Sequence, residues 1–152
     1  MTTALARTIH LQGELCNKEE LVVASGQTIK PGYLIQMTSA REATVHATAG
    51  GFGLPLLVHE DEYQGDATTL AGVAPVATAY TAGTPCFSYY CEPGDLKYVA
   101  LKASENIVIG DALISAGDGT FKKTTGSPTQ VFCYAEEASN VASVQLVKAR
   151  FC

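Results

Sequence analysis

Charge is what this chain has least of. Asp, Glu, Lys and Arg make up 16% of its 152 residues, well below the usual quarter. A domain of this size can bury one hydrophobic core, but it has little material for a solvated surface. Part of that surface is therefore expected to lie against another protein, or another copy of the same chain. Positive charge is the scarcer sign. Ten Lys and Arg stand against fifteen Asp and Glu, for a net charge of −5 and a pI near 5.1, and the basic residues are scattered. Phosphate-backbone binding needs clustered Lys and Arg, so no nucleic-acid partner is expected.

Long hydrophobic runs are missing too. The uncharged stretch over residues 67–91 is broken by Gly72, Pro75, Gly83 and Pro85 and is rich in Thr, whereas a membrane span needs about 20 strongly apolar residues. No membrane partner is expected. The start, MTTALARTIHLQGELC, lacks a charged segment followed by an apolar run, so it does not read as a signal peptide. There are five cysteines, Cys16, Cys86, Cys91, Cys133 and Cys152, but no CxxC pair. Zinc knuckles are therefore not expected. The cysteines read as reduced thiols of a cytosolic assembly environment, with Cys86 and Cys133 acting as small apolar strand residues. Cys152 could bridge to another chain on oxidation. Nowhere does a 3.6-residue apolar period persist for three turns, which predicts little helix.

What is present is a unit that occurs twice. Residues 29–62 and 107–137 each open with Ile-x-x-Gly, at Ile29 to Gly32 and Ile107 to Gly110. A Leu-Ile pair follows, Leu34-Ile35 and Leu113-Ile114, then a small-residue turn, a short strand, a Gly/Pro loop, a second apolar run and an acidic stop. The copies start 78 residues apart, too far for a solenoid repeat. They read as two β-meander modules paired into one barrel.

Taken in order, residues 1–15 show neither helical nor strand period and read as an extended arm, with residues 16–152 as a single β domain. Strands are expected around Leu21–Val23, residues 33–38, 44–46 and 56–59, the last buried on both faces because it is continuously apolar. Residues 63–83 are rich in Ala, Thr and Gly, with Asp66 their one charge. So long an irregular segment in a compact domain usually serves a contact. Residues 84–92 and 96–102 read as an aromatic-rich hairpin joining the modules. Strands at 112–115, 120–124, 130–135 and 141–151 follow, with Asp118-Gly119 as a strong hairpin signal. The expected architecture is all-β, a small barrel or sandwich.

Converging catalytic groups are not evident, so no enzyme is expected and no cofactor or metal is assigned. His59, Glu60, Asp61 and Glu62 could suit a cation, and His46, His59 and Asp61 would be the residues of a metal-dependent hydrolase. However, neighbouring side chains on an extended segment point to opposite faces, and charges commonly terminate strands. Gly50-Gly51-Phe52-Gly53 has no Lys-Ser/Thr and no following helix, so it reads as a turn and not a phosphate loop. His10, His46 and His59 are the available bases for a cysteine nucleophile, without an accompanying motif. Phe87, Tyr89, Tyr90 and Tyr98 could line a sugar platform, which makes a glycan- or host-surface-binding module the alternative function; more often such residues divide between core and interface.

The succession IKPGYLIQM, ATAGGFGLPLLVHEDEYQG and TPCFSYYCEPGDLKYVALKASENIVIGDALISAGDGTFKKT resembles the capsid decoration (cement) proteins of tailed double-stranded DNA phages. The likeness covers roughly residues 20–150, with the long Ala/Thr loop over 68–83 and the extra cysteines as departures, and it carries no catalytic residues. It implies a structural virion protein, assembled in the host cytoplasm and seated on the outer capsid surface. There it would bridge neighbouring major capsid subunits as a homotrimer, with a dimer as second choice. If the repeat is scaffold, the contacts fall outside it. Leu5, Arg7, Ile9 and Leu11 of the arm, and Leu70, Val73, Val76 and Tyr80 of the loop, are the expected partner-interface residues.

Overall fold

The computed structural model describes residues 8–13, 17–61, 75–128 and 130–152. Among them the chain is all-β, with one 3-10 turn at Pro75–Ala77 as its helical element. The strands are β1 (His10–Gln12), β2 (Lys18–Val23), β3 (Thr28–Ile29), β4 (Leu34–Met37), β5 (Glu42–Val45), β6 (Leu56–Val58), β7 (Tyr80–Thr81) and β8 (Pro85–Tyr90). There follow β9 (Leu96–Leu101), β10 (Asn106–Ile107), β11 (Ala112–Ser115), β12 (Phe121–Lys123), β13 (Cys133–Ala135), β14 (Ser139–Asn140) and β15 (Gln145–Phe151).

The repeat is larger than the sequence pattern indicated. Strands β2, β5, β4, β6 and β8 close into a barrel, and β3 pairs with β7 beside it. In the second half β9, β12, β11, β13 and β15 follow the same order, β15 pairs back to β9, and β10 pairs with β14. Even the pairing directions recur. The β2–β5 and β9–β12 contacts are parallel, while the other ring contacts are antiparallel. Two meanders pairing into one barrel is therefore corrected to two barrels, one per copy. The expected hairpin over 84–102 is corrected with it. Glu92 to Asp95 does form a tight turn, closed by the Asp95 N–H on the Glu92 carbonyl at 3.0 Å. Beyond it, however, β8 stays in the first barrel and β9 opens the second.

The opening Ile-x-x-Gly of each copy sets the entry to β4 and β11. Tyr33 N–H donates to the Lys30 carbonyl and Asp111 N–H to the Val108 carbonyl, both at 3.1 Å. Gly32 and Gly110 have φ of 86° and 93°, the third-position conformation that a type II turn requires and glycine adopts without strain. Short strands then alternate. On β15, Val147, Ala149 and Phe151 are buried between half-buried neighbours, whereas β6 is buried throughout, as its unbroken apolar run indicated.

Each barrel has its own core. Leu21, Val23, Ile29, Ile35, Ala43, Leu56, Val58, Tyr80 and Cys86 fill the first. Val99, Leu101, Ile107, Leu113, Phe121, Cys133, Ala135 and Val147 fill the second, and its cluster runs on into Ile9, Leu34 and Leu57 at the seam between barrels. The seam is built along one edge of β9, where an exposed strand edge would otherwise template further pairing. Tyr98 N–H donates to Ile9 at 2.8 Å, Ala100 N–H to Gly32 at 2.9 Å and Lys102 N–H to Phe121 at 2.8 Å. Three segments thus divide one edge: the N-terminal strand, the first barrel's turn and the second barrel's own β12.

Candidate interaction surface

The loop between β5 and β6 is the most exposed apolar feature among the described residues. Phe52 is 74% and Leu54 57% exposed, yet the backbone carrying them is tied down. His46, buried at the end of β5, holds the Phe52 carbonyl through Nε2 at 2.9 Å and meets Ser115 Oγ through Nδ1 at 2.7 Å. A carbonyl only accepts, so Nε2 carries a hydrogen. Gly53 N–H donates to the Gln130 side chain at 3.0 Å and Gly50 N–H to the Ser115 carbonyl at 2.9 Å. A Cβ on Gly53 would stand 2.6 Å from the His46 ring, which is why glycine brackets the phenylalanine. The first barrel's loop is thus fixed on the second barrel. An aromatic side chain held out on a pre-ordered backbone binds with less ordering entropy to lose, and it has the character of an interface hot spot.

A polar cluster is buried in the seam. The Lys97 side chain is fully buried, with Nζ 3.6 Å from Asp95 Oδ2 and 3.4 Å from His59 Nε2. Asp95 also accepts the Glu92 N–H at 3.0 Å, and Glu60 accepts the Ile9 N–H at 2.9 Å. The His59 ring lies 4.5 Å from Tyr89 and 6.4 Å from His10, centroid to centroid. Burial first, then the charges of Lys97 and His10, push the His59 imidazole down to about 3. It therefore stays neutral beside the ammonium. The cluster fastens β1 and β6 to the second barrel. A Cβ on Gly13 would collide with the Asp95 carboxylate, so the return from β1 passes this spot only as glycine.

The expected interface residues divide three ways. Leu5, Arg7, Leu70 and Val73 lie outside the described residues, as does Cys16. Leu11 is exposed on β1. Ile9, Val76 and Tyr80 are corrected from interface to interior, since all three are buried within this chain. Ile9 belongs to the core that spans the seam, and Tyr80 belongs to the first barrel's core with its hydroxyl on the His59 carbonyl at 2.8 Å. At this point the presumed arm is built into the domain, because β1 pairs with β9.

Of the aromatic residues considered for a sugar platform, Tyr98 is buried, Phe87, Tyr89 and Tyr90 are half-buried, and Tyr89 packs on His59. His46 and His59 serve separate networks, and among the described residues no three His, Cys, Asp or Glu side chains are grouped to hold a metal. Cys86, Cys91 and Cys133 are buried free thiols. Burial pushes Cys86 up to about 11, Cys91 up to about 12, and Cys133 well above the ordinary thiol range.

No protein-family model and no curated protein matches the chain. Its fold is similar to that in the crystal structure of the head fiber gp8.5 N base in bacteriophage phi29, with a TM-score of 0.55 at 19% sequence identity. The likeness covers 89% of this chain and 94% of that one, so the two share a fold over nearly their whole lengths.

Proposed function

We propose that this chain is a structural, non-catalytic virion protein of a tailed phage. It docks on the outer surface of the head and bridges neighbouring major capsid subunits. It does so as a homo-oligomer, a trimer before a dimer. The observation that carries the reading is the fold likeness, nearly end to end, to a head fiber base. The sequence resemblance to capsid decoration proteins supports it separately. The anchored Phe52–Leu54 loop supplies a contact of suitable chemistry, apolar and rigid. Binding to the finished shell and not to its dissociated subunits would stabilise the shell by mass action, and many symmetry-related contacts would make modest single affinities large together.

Mixing the purified protein with undecorated heads of its own phage is expected to give saturable binding and a raised disruption temperature. The double variant Phe52→Ser/Leu54→Ser, altered only at exposed positions, should weaken that binding by about 10-fold or more while leaving its own unfolding temperature unchanged. Heads that take up no protein would overturn the reading. Unchanged binding by the double variant would move the contact elsewhere on the surface.

A further inference from the structure

The two barrels meet through unlike faces. The first presents the turn before β4: Pro31 and Gly32 are buried, Gly32 accepts from Ala100 at 2.9 Å, and Leu34 N–H donates to Gly119 at 2.8 Å. The second receives it on β9, β15 and the β11–β12 turn, with Ala100 and Leu146 beneath Gly32. Because the barrels are copies, each also carries the face that its partner uses.

Among the described residues, both spare faces are open. The second barrel's presenting turn keeps the construction of the first: Gly110 N–H donates to Ala135 at 2.8 Å, as Gly32 N–H does to Val58 at 2.8 Å. Its tip is apolar and uncovered, with Val108 55% and Ile109 70% exposed. Among the described residues, nothing lies within 4 Å of where a Gly110 Cβ would stand. On the first barrel Val22 occupies the place of Ala100, and Pro85, its partner across β2–β8, the place of Leu146, the partner of Ala100 across β9–β15. Arg41, with a φ of 60°, occupies the place of Gly119, with a φ of 85°. Val22 is 47% exposed although its strand neighbours Leu21 and Val23 are buried, and Pro85 is exposed as well.

We propose that the chain associates head to tail with a second copy, the Val108–Ile109 turn of one molecule seated on the Val22–Pro85 face of the next. The contact continues between molecules the barrel-on-barrel packing found within one. It differs in one respect. Gly32 and Leu34 reach the backbone between β9 and β12, whereas β2 and β5 are already paired at Val22 and Glu42. The intermolecular contact is therefore made by apolar side chains and depends on concentration. Since unlike faces meet, it propagates, and it leaves no free end only when the ring closes. In the trimer proposed above, it recurs around a ring of alternating first and second barrels. The inference rests on that self-association and is independent of the capsid target.

Sedimentation velocity on the full chain, without capsids, tests it. The wild type should show reversible, concentration-dependent association, and Val22→Asp and Ile109→Asp should each weaken it by about 10-fold or more. Both positions are exposed, and circular dichroism of each variant should match the wild type. Mixing the two variants restores one intact contact, between the turn of the Val22→Asp chain and the face of the Ile109→Asp chain, so a one-to-one heterodimer should form. A wild type that stays monomeric at high concentration would overturn the inference. So would an oligomer insensitive to both substitutions, or variants that do not pair when mixed; these last two results would leave self-association standing through another face.

Discussion

Strands β2 and β9 hold the same place in the two barrels, and their sequences show what it means to stand at a free end or at a seam. β2 reads KEELVV and alternates, with Leu21 and Val23 inward and Lys18, Glu20 and Val22 outward. β9 reads LKYVAL and is buried from Lys97 to Leu101. The difference lies in the neighbours. β9 is covered along its outer edge by β1 and the first barrel's turn, whereas among the described residues no second barrel covers β2. The teaching is that a duplicated fold does not bury its copies alike. The second copy gains a shared apolar seam with a charged cluster inside it, and the first keeps an ordinary solvated strand with one exposed valine.

The largest expected effect lies at the position where the copies differ most in charge environment. Lys97 is sealed in the seam, while Glu19, its counterpart on β2, pairs with an exposed Arg41 at 3.1 Å. Lys97→Met should lower unfolding free energy by about 3–5 kcal/mol, because Asp95 is left buried without its cation, and adding Asp95→Asn should recover most of that loss. Glu19→Ala should cost less than about 1 kcal/mol. Urea denaturation of the four proteins checks the contrast, and equal losses at the two positions would erase it.

A more gradual effect is expected from pH. His59 stays neutral in the fold down to about 3, against 6.5 for an ordinary histidine. Between those values the unfolded chain takes up a proton that the folded chain does not. The stability tied to this residue is therefore complete above pH 6.5 and is lost as pH falls toward 3, by on the order of 5 kcal/mol in all. The second barrel has Glu136 at the corresponding place, ion-paired to Arg150. Denaturant titrations at pH 7, 5 and 4 should show a steeper decline for the wild type than for His59→Gln.

The smallest contrast compares the two turn glycines. A methyl at Gly32 would stand 3.2 Å from the Ala100 nitrogen and press on Leu146, whereas one at Gly110 would meet nothing among the described residues. Both substitutions bear the strain of a positive φ, about 1 kcal/mol. Gly32→Ala should exceed Gly110→Ala by roughly another 1 kcal/mol through displacement at the seam. Thermal unfolding at low protein concentration reads the difference.

Local chemistry made much of the fold legible. Alternation, Asp-Gly and Pro-Gly turns and the Ile-x-x-Gly signature located most longer strands and the duplication, because each depends on residues close in the chain. The two-residue strands β3, β7, β10 and β14 carry too little pattern to stand out. Phe52 and Leu54 were not singled out as contacts, and His59, weighed as a metal ligand, was not linked to Lys97 and Asp95. GFGLP reads as a turn whether its phenylalanine points inward or outward, and Lys97 alternates like any strand residue. The buried run LKYVAL was the available signal that β9 is covered on both faces.

By itself, the sequence determined an all-β chain with two copies of one strand-and-turn unit, low charge and buried-type cysteines. These follow from hydrophobic period and turn stereochemistry, which act over a few residues. Only the tertiary structure decided that the copies close separately, that Ile9, Val76 and Tyr80 face inward, and which apolar side chains remain outside. Those outcomes depend on which distant segments pair and pack, such as β1 and the first barrel's turn along the β9 edge. These are contacts between groups dozens of residues apart, and no local pattern records them.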